Sequence, residues 1–418
     1  MANLMLFFIT FLFIFGWKIT DSLDIIFLIS CVTSFITLII LRPTFPKLIA
    51  IIISLLLVIS LYSGVIVILH GAADEQIFLR SVRSMINFIG GFSIAYLYVR
   101  KFGEKFSFQI SHHIFLSIGL HAVIILLMYL NDTLRNLVYE LASTMNVVND
   151  TTPIALGYRI PGLTYGLSTT SVVQMVGLLL LPYLLQHVNK SVWKPVYLFS
   201  AVLIVISIFL TGRTGLLFLV ILFPLAMLFG NSKKERMNIV RSAFSFLKIG
   251  VVGALLYFSF SFLIKFLPAY FQEYTIAKAG EVTQFFTNSG NTETTVAIKS
   301  MYFLPTDALT FMFGSSNSGR GDLGYIPSDV GFILLIFSIG IIGLIIMLSV
   351  YLLSMNIALK TYFLDKKIAV VTLLVLLSSL MLNFKEVALF TRNQWSIQSL
   401  LICTCIYIVY MQREWKKS

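Results

Sequence analysis

Charge is what this sequence has least of. Only 11% of its 418 residues are Asp, Glu, Lys or Arg, where a soluble globular protein carries about 25%. With 58% of the chain hydrophobic, 30 basic and 18 acidic side chains are too few to coat a water-soluble fold of this length. That excludes a soluble enzyme, a disordered tail and a coiled coil. Cysteine is scarce too. Cys31 sits in one apolar run, and Cys403 with Cys405 in another, so the loops have no disulfide framework. A Cys-x-Cys pair without His or acidic neighbours makes no metal site and reads as membrane-buried packing. No apolar run carries a carboxylate or lysine at its centre, the usual mark of an ion or proton path. His121 is the one ionisable side chain deep in a run, read as a neutral packing residue. The P-loop, Rossmann and His-Glu-x-x-His fingerprints are missing. So is an outer Asp-x-Asp pair that would clamp a divalent ion on a diphosphate. No cofactor and no metal are expected.

What is present is a series of long apolar runs. A bilayer core needs roughly 20 apolar residues in a helix, and runs such as Ile25 to Leu41, Leu48 to Leu69, Ile114 to Leu130 and Val330 to Leu353 meet that need. The first run, Leu4 to Phe15, lacks a basic flank and a small-x-small cleavage site, so it is kept as an uncleaved span. Ile249 to Leu263 and Ile368 to Leu382 are slightly short, and Met85 to Val99, Val172 to Leu185 and Leu400 to Met411 are weaker. The expectation is an all-α polytopic integral membrane protein with about 12 transmembrane helices, residues 1–418 forming a single membrane domain.

Twelve spans put both termini on one side, and the distribution of charge picks the side. The termini and alternate loops hold 18 basic residues against 4 acidic ones, a net of +14. The opposite side holds 12 basic and 14 acidic residues, a net of −2, although its loops are longer. Short basic loops face the cytoplasm, so both termini are expected there. The overall charge of +12 is therefore a topology signal, with no nucleic-acid partner implied. Inside, lysine outnumbers arginine 13 to 5; outside, 7 arginines stand with 5 lysines. Arginine's planar fork grips phosphate oxygens in two places, which points to an anionic ligand outside.

Two outer loops are long, residues 131–171 and 267–329. In the second, Tyr270, Phe271, Tyr274 and Ile276, then Val296, Ile298, Met301 and Tyr302, are spaced as in amphipathic helices. The polar stretch Thr287 to Thr295 reads as a turn between them.

Three stretches carry candidate chemistry. In Thr211-Gly212-Arg213-Thr214-Gly215, Arg213 must sit at the outer tip of a tight helical hairpin. In Tyr158-Arg159-Ile160-Pro161-Gly162, Arg159 precedes a turn and then a span. Each arginine reads either as a snorkelling anchor or as a phosphate ligand. The third stretch runs from Phe313-Gly314 through Gly319-Arg320-Gly321 to Asp329, at the entry of the span from Val330. Asp329 reads as a helix N-cap or as a base. Gly340-Ile341-Ile342-Gly343 beyond it reads as a close-packing face.

Together these stretches resemble the O-antigen polymerase and ligase superfamily of bacterial surface-polysaccharide assembly. That family's pattern has an Arg followed by a Gly closing one outer loop, then a hairpin Thr-Gly-Ser-Arg. A large outer loop follows, ending on Phe-Gly, then a polar segment with Asp or His, and a helix with Gly-x-x-Gly. The matching stretches here are Arg159 to Gly162, Thr211 to Arg213, Phe313-Gly314 with Asp329, and Gly340 to Gly343. Residues 159–343 carry the likeness closely, the rest only through span count and topology. Gly212 stands where the family usually has Ser, and the catalytic His of ligase members is missing near Asp329, which tilts the reading to a polymerase.

The resemblance implies a GT-C-like glycosyltransferase of the bacterial inner (plasma) membrane, serving lipopolysaccharide or capsule synthesis. Its substrates would be undecaprenyl-diphosphate-linked oligosaccharides among membrane lipids, with a chain-length regulator and a flippase as candidate partners. Arg159 and Arg213 would stabilise the leaving diphosphate without metal, and Asp329 would take the acceptor's proton. Arg320, Arg80 and Arg83 are further diphosphate candidates. The rival readings are a lipid-linked oligosaccharide flippase or other 12-span transporter, and then an O-antigen ligase. A carrier would favour charges or broken helices near mid-bilayer.

Overall fold

Inside a bilayer every backbone N–H and C=O needs a partner within the chain, so an apolar chain crosses it as helices. The computed structural model describes residues 2–19, 23–71, 74–142, 159–164, 166–188, 192–230, 293–319 and 324–415. Among them there is no strand beyond a lone bridge between Lys18 and Asp24. The helices are α1 (Ala2–Phe15), α2 (Ile25–Phe35, prolonged by a π-helical stretch Ile36–Leu41), α3 (Lys47–Leu69), α4 (Gln76–Phe102), α5 (Phe106–Leu130) and α6 (Asp132–Leu141). Then come α7 (Leu167–His187), α8 (Trp193–Thr211), α9 (Arg213–Gly230), α10 (Glu293–Ser300) and α11 (Ala308–Phe313). The last are α12 (Gly331–Thr361), α13 (Lys366–Leu382) and α14 (Arg392–Trp415).

Among the described residues six helical stretches are long and apolar enough to cross a membrane, one of them, Gln76–Leu130, holding both α4 and α5. The protein is an all-helical, membrane-embedded chain. The run expected over 249–263 lies outside the described residues, as do Tyr270 to Ile276. Residues 231–303 form a compact unit of their own. Its described part, residues 293–303, holds α10, which begins at Glu293, inside the stretch read as a turn. Several other boundaries move. Helix α4 starts at Gln76, so Arg80 and Arg83 lie in its first turns and not in a loop. Helix α7 starts at Leu167, within the first long loop, and α6 occupies another part of that loop.

Helix ends rich in lysine gather at one end of the bundle. There the Thr44 and Tyr410 hydroxyls meet at 3.2 Å, and Thr361 Oγ1 donates to the Cys405 carbonyl at 3.2 Å. The start of α7, the α8–α9 hairpin and the α13–α14 connection lie at the other end. The two helices most enclosed by protein are α14 and α7, with 83% and 78% of their apolar windows buried.

Helix α12 is broken. Gly340 has φ 65° and ψ −179°, a conformation that favours glycine. A Cβ there would sit 2.3 Å from the Met312 carbonyl oxygen. The chain after α11 comes in against the break: Ser315 N donates to Phe337 O at 2.8 Å and Ser316 N to Ser338 O at 3.0 Å. Tyr62 of α3 donates to Ile339 O at 3.2 Å. The Phe313-Gly314 motif thus packs on Gly340, and the end of the second long loop reaches into the bundle. Asp74, just ahead of α4, holds the same segment by accepting from Ser318 N at 2.8 Å.

Candidate functional site

The Arg159 stretch is a turn built over the bundle. Gly162 has φ 66°, and a Cβ there would lie 2.5 Å from His121 Nε2. Leu163 N donates to that nitrogen at 3.1 Å, and His121 Nδ1 is 2.6 Å from the Gln174 amide. With Nε2 accepting, the ring proton sits on Nδ1; the Gln174 nitrogen is placed against it and Oε1 is buried without a partner among the described residues, so turning the amide end for end gives both groups their hydrogen bond. His121 is fully buried and stacks on Phe15 with centroids 4.1 Å apart. It is neutral and packed, and it also anchors the turn.

The two arginine stretches meet. Ile160 N donates to Leu210 O at 3.0 Å, joining the turn to the C-terminal end of α8. The next residues of the hairpin press on the first turn of α7. A Cβ on Gly215 would fall 2.3 Å from Ser171 O, and one on Gly212 3.2 Å from Leu167 O. Gly215 N donates to Ser171 Oγ at 3.0 Å. Glycine at both places is what allows the approach. Arg213 opens α9 and is described by its backbone alone; Arg159 is half-buried.

Residues 383–391, between α13 and α14, complete the cluster. Lys385 Nζ donates to Thr214 Oγ1 at 2.9 Å, with Ser168 Oγ at 3.4 Å. The Glu386 carboxylate accepts from the Ser168 hydroxyl and the Thr169 amide. Burial pushes its pKa up, against the pull of Lys385 and those two hydrogen bonds, and the nearby Asp329 charge adds to the rise. Its Oε1 is buried without a hydrogen-bond partner among the described residues. The connection is shaped by Asn383, whose Oδ1 accepts from Ala388 N at 2.9 Å. Asn383 O accepts from Phe332 N at 3.2 Å. Gly331 leaves the room: a Cβ there would be 2.4 Å from Asn383 Oδ1 and 2.7 Å from Glu386 O.

No family model matches this chain, and no curated protein matches its sequence. The geometry therefore carries the argument alone.

Asp329 is not the cap of α12. The cap position is Val330, whose N–H is taken at 3.1 Å by Ser328 Oγ, and Asp329 is exposed one residue earlier. It reaches the cluster through its charge on Glu386. Arg83 belongs to a neighbouring group. It lies near Arg392, the first residue of α14, whose Nη1 is 3.7 Å from the buried Asp24 carboxylate. Arg80 stands one turn from Arg83 on α4. Arg320 lies outside the described residues. A small cavity lined by Thr164, Thr169, Thr170, Val173, Thr391, Asn393 and Gln394 runs between the two groups. Gln394 is 1% exposed and neither end of its amide has a partner among the described residues, a setting for a bound water.

Lys385, Glu386, Arg392 and Asp24 were not singled out from sequence. The available signal was the polar stretch Asn383 to Glu386 between two apolar runs. Among the described residues no three His, Cys, Asp or Glu side chains gather as a metal site. The cluster combines cations, hydroxyls and two carboxylates at one end of an apolar bundle, which suits an anionic headgroup and a proton transfer beside it.

Proposed function

We propose that this chain is a glycosyltransferase that polymerises undecaprenyl-diphosphate-linked oligosaccharide units into surface polysaccharide at the outer face of a bacterial plasma membrane. The observation that carries the reading is the Ile160–Leu210 hydrogen bond, which joins the two arginine stretches beside Lys385. In this reading the lysine-rich end faces the cytoplasm, as the positive-inside pattern requires.

A diphosphate is a good leaving group, so the main requirement is to stabilise the charge that grows on its bridging oxygen. Arg159, Arg213 and Lys385 supply that stabilisation, and removing one preorganised donor typically costs about 2.7–4 kcal/mol of transition-state binding. The acceptor hydroxyl gives up its proton to a carboxylate of the cluster, where Asp329 and Glu386 stand near each other. Arg80, Arg83 and Arg320 have supporting roles in holding lipid phosphate. A chain-length regulator and a flippase fit as partners of such an enzyme.

A lipid-linked oligosaccharide carrier is the second reading, favoured by the break of α12 at Gly340. The Phe337 and Ser338 carbonyls at that break are already taken by Ser315 and Ser316, which argues against an ion or substrate site there. Purified protein incubated with lipid-linked repeat units alone, without nucleotide, decides between the two. A ladder of longer glycans supports the polymerase. Intact units crossing a liposome membrane with no ladder support the carrier. Within the polymerase reading, Arg213→Lys keeps the charge but loses the two-pronged grip, so polymer in cells carrying it should be short or absent. Polymer of normal length there would remove Arg213 from the site.

A further inference from the structure

The two carboxylates at the site are not equivalent. Asp329 is exposed. Glu386 is held from two sides, by the Ser168 hydroxyl and the Thr169 amide of α7. Its backbone is fixed by the fit of Gly331 against the Glu386 carbonyl oxygen. Lys385, the neighbouring residue, bonds the hairpin that carries Arg213. We propose that Glu386 is the group that takes the proton from the acceptor hydroxyl, and that Asp329 acts on it through charge alone. The proposal rests on the polymerase reading given above.

Geometry comes first in choosing a general base, and its pKa second. Ser168 and Thr169 of α7 hydrogen-bond the Glu386 carboxylate, and Oε1 is left without a partner among the described residues. Burial makes Glu386 a stronger base than an exposed carboxylate. In the step, the hydroxyl oxygen of the acceptor sugar bonds to the anomeric carbon of the growing glycan. The bond from that carbon to the diphosphate oxygen breaks, and its electron pair leaves with undecaprenyl diphosphate. The hydroxyl proton passes to Glu386. The arginines and Lys385 balance the charge on the leaving group.

Among the described residues, the charges acting on Glu386 are Lys385 of its own connection and Asp329 ahead of α12. Helices α7 and α9 contribute the neutral Ser168, Thr169 and Thr214. As a base, Glu386 must be ionised, so the rate falls off on the acid side as Glu386 protonates. Removing the Asp329 charge lowers the Glu386 pKa and moves that acid limb to lower pH.

The test uses the full chain in lipid nanodiscs with undecaprenyl-diphosphate-linked repeat units, reading initial rates across pH. A ladder from the unaltered protein establishes the polymerase reading; without one, that reading and the base role fall together. Given a ladder, Glu386→Gln should lower the rate by about 10²- to 10⁴-fold with lipid-diphosphate binding intact. Asp329→Asn should show an acid limb shifted to lower pH. Should the Gln variant fold poorly, Asp329→Asn still decides, because Asp329 is exposed and its loss leaves the fold alone. The proposal is overturned if Glu386→Gln turns over normally, or if Asp329→Asn is the inactive variant. An acid limb that stays in place in Asp329→Asn overturns it as well.

Discussion

Helices α3 and α14 invert the rule of soluble proteins. Helix α3 is among the most apolar in the chain, yet only 39% of its apolar window is buried, and Val58, Leu61 and Val65 point away from the protein. Helix α14 is much less apolar and 83% of its window is buried. Its interior carries Gln394, Ser396, Gln398, Ser399 and Thr404. Where lipid is the solvent, an outward surface must be apolar and polar groups go inward, where they can find partners. Gln398 shows this: it donates to Ser379 Oγ and to Val375 O on α13, and Tyr351 of α12 donates to it. The polar end of the bundle continues that interior into the site, since residues 383–391 lead directly into α14.

The contrast can be broken from either side. The largest expected effect is Val58→Lys, at the centre of α3 and facing outward, which should cost about 2.5–3.5 kcal/mol of insertion free energy. Glycosylation-tag insertion assays read it directly. Next is Gly215→Ala, where the new Cβ meets backbone at 2.3 Å. It should lower stability by about 1–3 kcal/mol in thermal unfolding, and weaken activity by parting α9 from α7. Gln398→Leu tests the interior: leaving the Ser379 hydroxyl and its neighbours unsatisfied should cost about 1–3 kcal/mol, whereas the same change would favour a lipid-facing position. Thr214→Val removes the Lys385 hydrogen bond for about 0.5–1.5 kcal/mol, and a fall in lipid-diphosphate affinity would tie that bond to the site. Smallest is Gly64→Ala on α3, where the nearest atoms are those of the Phe78 ring at 3.1 Å; a turn of that ring keeps the change within about 0.5 kcal/mol.

Helix identity was legible because long apolar runs leave few alternatives, and the gap at Thr211 to Gly215 is too short for anything but a hairpin. Boundaries shifted where polar residues continue a helix, as in α4 from Gln76 and α14 from Arg392, because the hydropathy signal fades before the hydrogen bonding does. The pairing of Arg159 with the hairpin rests on a contact between residues 50 apart in sequence, Ile160 and Leu210, which no local pattern encodes. Lys385 and Glu386 read as ordinary interfacial charges until Ser168, Thr169 and Thr214 are placed around them. Asp329 looked able to cap α12 because Asp is a good cap, but the cap position falls on Val330, whose N–H bonds Ser328 Oγ. Gly340 looked like a packing residue. It is one, but with φ 65° it also divides the helix.

That division ties two movements into one. Residues 314–316 act as a latch in the notch of α12: drawing them out would leave the Phe337 and Ser338 carbonyls bare in hydrocarbon, at several kcal/mol each. The upper half of α12 begins at Gly331, against Glu386. The segment that enters the notch and the floor of the site therefore bear on the two ends of one half-helix.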